Sequence, residues 1–191
     1  MKRQQFNDIL LKAVKESKSR LIIIGSQAFF AATQSDRIPE AVEMSDEVDI
    51  FPENISDVES IECSIGEKSE YFDSYGIYAH ALEDIERHML TEGWRDRLIP
   101  YKIKDGVKGR EYEALCLSLP DVCINKLCFG RPKDYDFVSN IVANGHISME
   151  KIESLAGSVQ SKYANILRQN IEKAKDLILR RAKVDGENVP G

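Results

Sequence analysis

RLIIIGSQAFFAATQSDRIPEAVEMSDEVDIF, residues 20–51, is the stretch on which the fold turns. Leu21 to Ile24 form a short, β-branched apolar run that stops at Gly25, the pattern of a buried strand. Ser26 follows as a helix cap, with a helix to about Ala32 that the SDRIPE segment breaks at Pro39. Glu47-Val48-Asp49-Ile50-Phe51 then alternates polar and apolar and ends at Pro52, which predicts a second strand with Glu47 and Asp49 on one face. Residues two apart on a strand project the same way, so the two carboxylates can meet at one point. Close and unneutralised they repel, and a hard cation such as Mg2+ resolves the conflict. Gly25 lets a ligand approach the backbone with no Cβ in the way. Ser26 at a helix start offers N–H donors and a positive dipole end to a phosphate. A phosphate cradle beside a metal-holding pair is the apparatus of metal-assisted phosphoryl or nucleotidyl transfer. The plainer reading of the same residues is an ordinary turn and a solvated acidic strand face.

Outward from this stretch, Phe6, Ile9, Leu10 and Ala13 recur at helical spacing and predict an amphipathic helix over 4–16. A short helix is expected over 54–60, and loops with short strands over IGEKSEYFDSYGIYAH. RLIPYKI and EYEALCLS flank KDGVKGR as a β-hairpin. Helices follow over 120–129, 133–143 and 148–155, the last capped by Ser148, and a long one over about 158–183 carries an apolar stripe. The order is helix, strand, helix, strand, mixed β, then helices. It predicts an α+β fold with a small mixed sheet flanked by helices and a helical C-terminal part. The expected division is a domain over 1–145, helices over 146–184 packed on it, and a flexible tail over 185–191.

The 191 residues, 42% apolar and 30% charged, suit a globular chain able to bury a sizeable core. No apolar run approaches ~18–20 residues, so no membrane-spanning helix is expected. The N-terminal MKRQQFNDILLKAVKESKSR reads as a mature amphipathic helix rather than a leader. Cys63, Cys116, Cys123 and Cys128 form no CxxC pair, which points to reduced, mostly buried thiols and a cytoplasmic setting. His80, His88 and His146 are scattered, without zinc-ligand spacing and without a Ser or Cys partner for a hydrolase triad. The net charge of −6 is unevenly spread: Asp36–Asp73 holds thirteen acids against two bases, and Lys151–Val184 eight bases against three acids. The basic helix is a solvated face or a surface for RNA or a partner. Trp94 beside Arg95 and Arg97 reads as a core anchor or a base-stacking platform, and Tyr71, Tyr75 and Tyr78 as packing residues or the lining of a nucleobase pocket.

IIIGSQAFFAAT…SDEVDIF resembles the Gly-Ser plus alternating-acid signature of the nucleotidyltransferase, or polymerase-β-like, superfamily. IGEKSEYFDSYGIYAHAL, GWRDRLIPY, CLSLPDVCINKL and FGRPKDYDFV are similar to a minimal bacterial branch of domain-of-unknown-function proteins related to abortive-infection nucleotidyltransferase toxins. The resemblance covers about residues 20–145. It implies Gly25 and Ser26 as the nucleotide-triphosphate loop, Glu47 and Asp49 as the metal-binding pair, and Lys126 as a helix lysine that meets substrate phosphates. Asp134 would complete or support the metal site, with Arg131 and Lys133 as phosphate partners. Read without the resemblance, Asp134 caps a helix after Pro132, Lys126 snorkels from a half-buried helix, and Arg131 pairs with a surface acid. Glu111 and Glu113 are a second source of a third carboxylate. Glu47 stands where the superfamily usually has aspartate, and Pro132 where the branch has another residue. The implied function is a Mg2+-dependent transfer of a nucleotide from an NTP to a hydroxyl acceptor on RNA or protein, in a toxin–antitoxin or phage-defence system with an antitoxin partner. The alternative is a catalytically degenerate nucleotide-binding or antitoxin-like protein-binding module.

Overall fold

Five short segments, four alternating and one continuously apolar, build a single mixed sheet in the computed structural model, which describes residues 1–33 and 38–187, the side chains of 86–87 and 182–187 excepted. The first half of the chain runs α1 (Arg3–Glu16), β1 (Leu21–Ile23), a 3-10 turn (Ser26–Ala28), α2 (Phe29–Ala32), α3 (Glu40–Glu43), β2 (Glu47–Pro52), α4 (Asp57–Ile65), α5 (Glu70–Tyr75) and β3 (Tyr78–Ala81). Short 3-10 segments at Ile85–His88 and Trp94–Arg97 lead to β4 (Ile99–Lys104) and β5 (Glu111–Cys116). The helices α6 (Leu119–Phe129), α7 (Pro132–Ala143), α8 (Met149–Ala156) and α9 (Ser161–Glu187) complete it. The fold is α+β, as the alternation and helical spacing predict. Its contacts define two compact units, Met1–His88 with Trp94–Ser118, and Met89–Gly93 with Leu119 onward.

In the first unit the strand order is β3-β2-β1-β5-β4. β1 lies antiparallel to β2 and parallel to β5, β2 is parallel to β3, and β4 and β5 form the expected antiparallel hairpin. β1 sits in the centre with all three residues buried, which is why its sequence is continuously apolar instead of alternating. Register places Val48 beside Ala79 and Ile50 beside both Ile23 and Ala81, so these buried side chains share one face. α1 packs on β4 and β5, and α4 on β2 and β3. Phe6, fully buried on α1, sets its ring 5.1 Å from Phe30 and 5.3 Å from Tyr101. Truncating such an aromatic anchor costs about 3–5 kcal/mol.

In the second unit α6 is buried on nearly every side, from Asp121 through Cys128. A helix with no polar stripe must be enclosed, and α7, α8 and α9 pack around it. Asn170 on α9, 2% exposed, fastens this bundle: its amide donates to Leu127 O at 2.8 Å and its carbonyl accepts from Tyr135 OH at 2.7 Å. Ser148 caps α8, accepting from Lys151 N, as its position before the helix predicts.

Three local expectations need correction. The helix placed after Ser26 is a one-turn 3-10 segment followed by four α-helical residues, and Gly25, not Ser26, occupies its N-cap without a side-chain bond. Gln27, Ala28, Phe29 and Phe30 are all fully buried, and a one-sided amphipathic helix cannot bury four successive residues. Residues 70–75, read as loop and strand, form α5, because Ser69 Oγ accepts from Phe72 N and Gly76 closes the helix in the left-handed region at φ 65°. The long helix begins at Ser161 and its backbone continues to Glu187. Residues 35–37 of the SDRIPE segment and the end of the expected tail, 188–191, lie outside the described residues, while Pro39, where the break is expected, is the N-cap of α3. No helix among the described residues is long and apolar enough to cross a membrane. Cys116, Cys123 and Cys128 are buried and Cys63 is exposed.

Candidate metal centre on β2 and β3

Parallel pairing sets Glu47 beside Tyr78 and Asp49 beside His80, and side chains at matched register share a face. Val48, Ile50 and Pro52 point into the core, so Glu47 and Asp49 emerge on the opposite face. One donor atom each from Glu47, Asp49 and His80 lie within 4.8 Å of one another. His80 Nδ1 stands 3.5 Å from Asp49 Oδ1 and 3.8 Å from Glu47 Oε1. Tyr78 OH donates to the other oxygen of Glu47, Oε2, at 2.8 Å, and the Phe72 ring meets Tyr78 edge-on at 5.3 Å. Glu47 therefore has one oxygen anchored and one turned toward the imidazole.

The turn after β1 reaches this group. Ile24 N donates to Asp49 O at 3.1 Å, binding the end of β1 to the middle of β2. At Gly25 a Cβ would overlap Asp49 Oδ2 and sit 2.9 Å from its Cγ, so only glycine leaves room for the carboxylate. Gln27, fully buried, donates from Nε2 to Val42 O at 3.0 Å and fixes the turn against α3. Its Oε1 has no hydrogen-bond partner among the described residues.

Electrostatics follow from this crowding. Hydrogen bonding to His80 holds the Glu47 carboxyl well below the usual carboxylate range, against the opposing pull of burial. Burial pushes Asp49 upward, and the neighbouring Glu47 adds to the shift, although the bond to His80 works against it. His80 is raised to about 10 by its bonds to Asp49 and Glu47. The imidazolium form of His80 is thus favoured beside the two acids, and a metal ion bound there would have to displace its proton. Burial lowers His88, which also feels Asp49, His80 and Asp84, so a second imidazole stands within electrostatic reach of the group.

Of the residues singled out from sequence, Gly25, Ser26, Glu47 and Asp49 fall in the first unit and Lys126, Arg131, Lys133 and Asp134 in the second. Glu47, Asp49 and Gly25 come together. Asp134, fully buried, accepts from Arg131 N at 3.1 Å and Arg131 Nε at 2.8 Å, and lies 3.7 Å from Lys126 Nζ. Lys126 is itself buried, its ammonium 4.7 Å from the Phe137 ring centroid, while Lys133 is exposed. Glu113 lies two strands from β2, with β1 between them, and Glu111 pairs with Lys102 at 2.9 Å. From sequence, His80 is a scattered histidine and Tyr78 a packing or nucleobase-lining residue; the structure sets both beside the acidic pair. Their signal was the Tyr-x-His alternation of YAHA, which mirrors Glu-x-Asp, but only strand pairing reveals that the two alternations are neighbours.

A mixed sheet with a glycine turn pressed against paired carboxylates is the arrangement that the sequence resemblance implies for a nucleotidyltransferase. A family model described as "Nucleotidyltransferase of unknown function (DUF6036)" matches residues 4–184, and the chain belongs to that family. No curated protein and no solved structure matches it.

Proposed function

We propose that the protein transfers a nucleotide from a nucleoside triphosphate to a hydroxyl acceptor, with a divalent cation held by Glu47, Asp49 and His80. The observation that carries this reading is the convergence of these three donors beside the Gly25 turn. Two donors bound to one ion at ~2.1 Å each lie at most ~4.2 Å apart. The 3.5 and 3.8 Å separations from His80 Nδ1 fall inside that limit, and all three donors lie within 4.8 Å of one another, so a small inward movement of the side chains would complete the set. Bound there, such an ion would offset triphosphate charge and lower the pKa of an attacking hydroxyl. Mg2+ is the ion that the resemblance implies.

The chain's own part is positioning. Tyr78 fixes Glu47, and the absent side chain at 25 leaves the room that Asp49 Oδ2 occupies. On the resemblance, Lys126, Arg131 and Lys133 are phosphate partners and Asp134 would complete or support the metal site, although Asp134 itself pairs with Arg131 and Lys126. The same resemblance supports an RNA or protein acceptor and a defence role with an antitoxin partner, and the unpaired, mostly buried thiols support a cytoplasmic setting. A second reading, nucleotide binding without turnover, is favoured by the imidazole standing as third donor in place of a carboxylate.

The test is label transfer from each α-labelled triphosphate to total RNA or protein, in wild type and Asp49→Asn. Transfer that Asp49→Asn abolishes supports the enzyme. Absence of transfer, with triphosphate binding that still raises Tm, supports the binding module.

A further inference from the structure

We propose that the site selects a first-row transition dication over Mg2+, because His80 Nδ1 supplies the third donor. The inference rests on the metal site described above and refines which cofactor it takes. Nδ1, not a carbon of the ring, is the imidazole atom near both carboxylates, at 3.5 Å from Asp49 and 3.8 Å from Glu47. Tyr78 donates to Glu47 Oε2, and Oε1 is the Glu47 oxygen turned toward the imidazole. On Asp49, Oδ1 faces His80 while Oδ2 lies against Gly25. Once the ion has displaced the Nδ1 proton to solvent, the inward-facing donors are one nitrogen and two oxygens.

Such a set is mismatched to Mg2+, which takes oxygen donors in near-ideal octahedral geometry and gives up water reluctantly. Imidazole suits the softer ions of the first transition row, and nitrogen ligation steepens the rise in affinity along that row. Carboxylates alone also bind transition ions better than Mg2+, so the diagnostic quantity is the part of the preference that depends on the nitrogen. Replacing His80 by aspartate changes the charge seen by Co2+ and Mg2+ equally. The ratio of the two affinities cancels that change and isolates the donor atom. His80 is 52% exposed in its side chain, so the exchange disturbs no core packing.

The experiment titrates the full chain with Co2+, Mn2+ and Mg2+ singly by calorimetry, in wild type and in His80→Asp. It also records electron spin echo modulation of bound Mn2+ in the wild type. The expected result is 14N modulation from a directly bound imidazole and a Co2+/Mg2+ affinity ratio that falls at least ~tenfold in His80→Asp. Bound Mn2+ without 14N modulation, or a ratio unchanged by the substitution, overturns the inference. The echo measurement needs no variant, so it decides between these outcomes even if the His80→Asp chain fails to fold. Nitrogen-ligated Mn2+ without any nucleotide transfer leaves this inference standing and removes the transferase reading. Transfer supported by Mg2+, with a His80-independent ratio, does the reverse.

Discussion

The backbone at Gly25 passes so close to Asp49 that one added methyl group overlaps Oδ2, and the carboxylate must leave its place. Gly25→Ala is expected to abolish the rise in Tm that a divalent ion gives, at a stability cost of about 1–3 kcal/mol from overpacking. An ion-induced rise equal to wild type would show that the turn does not border the site. Tyr78 acts one step out, through its bond to Glu47 Oε2. Tyr78→Phe should weaken divalent-ion binding about 10–100-fold, the usual effect of losing a partner that orients a ligand, and calorimetry reads it directly. Unchanged affinity would mean that Glu47 needs no such anchor. Glu47, Asp49 and Gly25 were legible in the sequence because alternation and a small-residue turn are local patterns. His80 was not, because its place beside Asp49 depends on pairing between strands about thirty residues apart, and a lone histidine carries no mark of which strand will lie next to it.

At the scale of elements, the β4–β5 hairpin is held to α1 by a buried carboxylate. Asp105 accepts from Val107 N and Lys108 N and pairs with Lys15 Nζ at 2.8 Å. The bond to Lys15, helped by the two N–H groups, lowers its pKa from the usual 3.8 to about 2. The unfolded chain thus takes up this proton before the folded one does. The contribution of Asp105 is whole above the unfolded value of 3.8 and drains away as the pH falls through about 2. The Tm of wild type should exceed that of Asp105→Asn near neutrality, with the gap closing toward acid; a gap independent of pH would contradict the assignment. In the helical unit, Asn170→Ala leaves Leu127 O and Tyr135 OH without their partner and should cost about 2–3 kcal/mol in urea unfolding. A loss below about 0.5 kcal/mol would show that water replaces the amide freely. The hairpin was readable from its glycine-containing loop, and the helical half from its 3.6-residue stripes. α5 was not, because six residues with three aromatics and a serine look like strand until the Ser69 cap and the Gly76 exit are seen together.

Over the whole molecule, the sequence order of helix, strand and helix was enough to give an α+β sheet with helices after it. It was not enough to show that residues 89–93, in the middle of the chain, belong with the helices that begin thirty residues later. There Glu92 N donates to Ser158 O at 2.8 Å and Thr91 Oγ1 to Asp121, contacts that no local pattern encodes. The candidate centre needs only the first unit: β1 supplies the turn, β2 the acids and β3 the imidazole. Anomalous diffraction from a crystal grown with Mn2+ and a non-hydrolysable triphosphate tests that centre most directly. The expected result is a Mn2+ peak within coordination distance of Glu47, Asp49 and His80 Nδ1, with the triphosphate against Gly25 and Ser26. A peak elsewhere, or His80 turned away from the ion with the triphosphate bound apart from the turn, would contradict it.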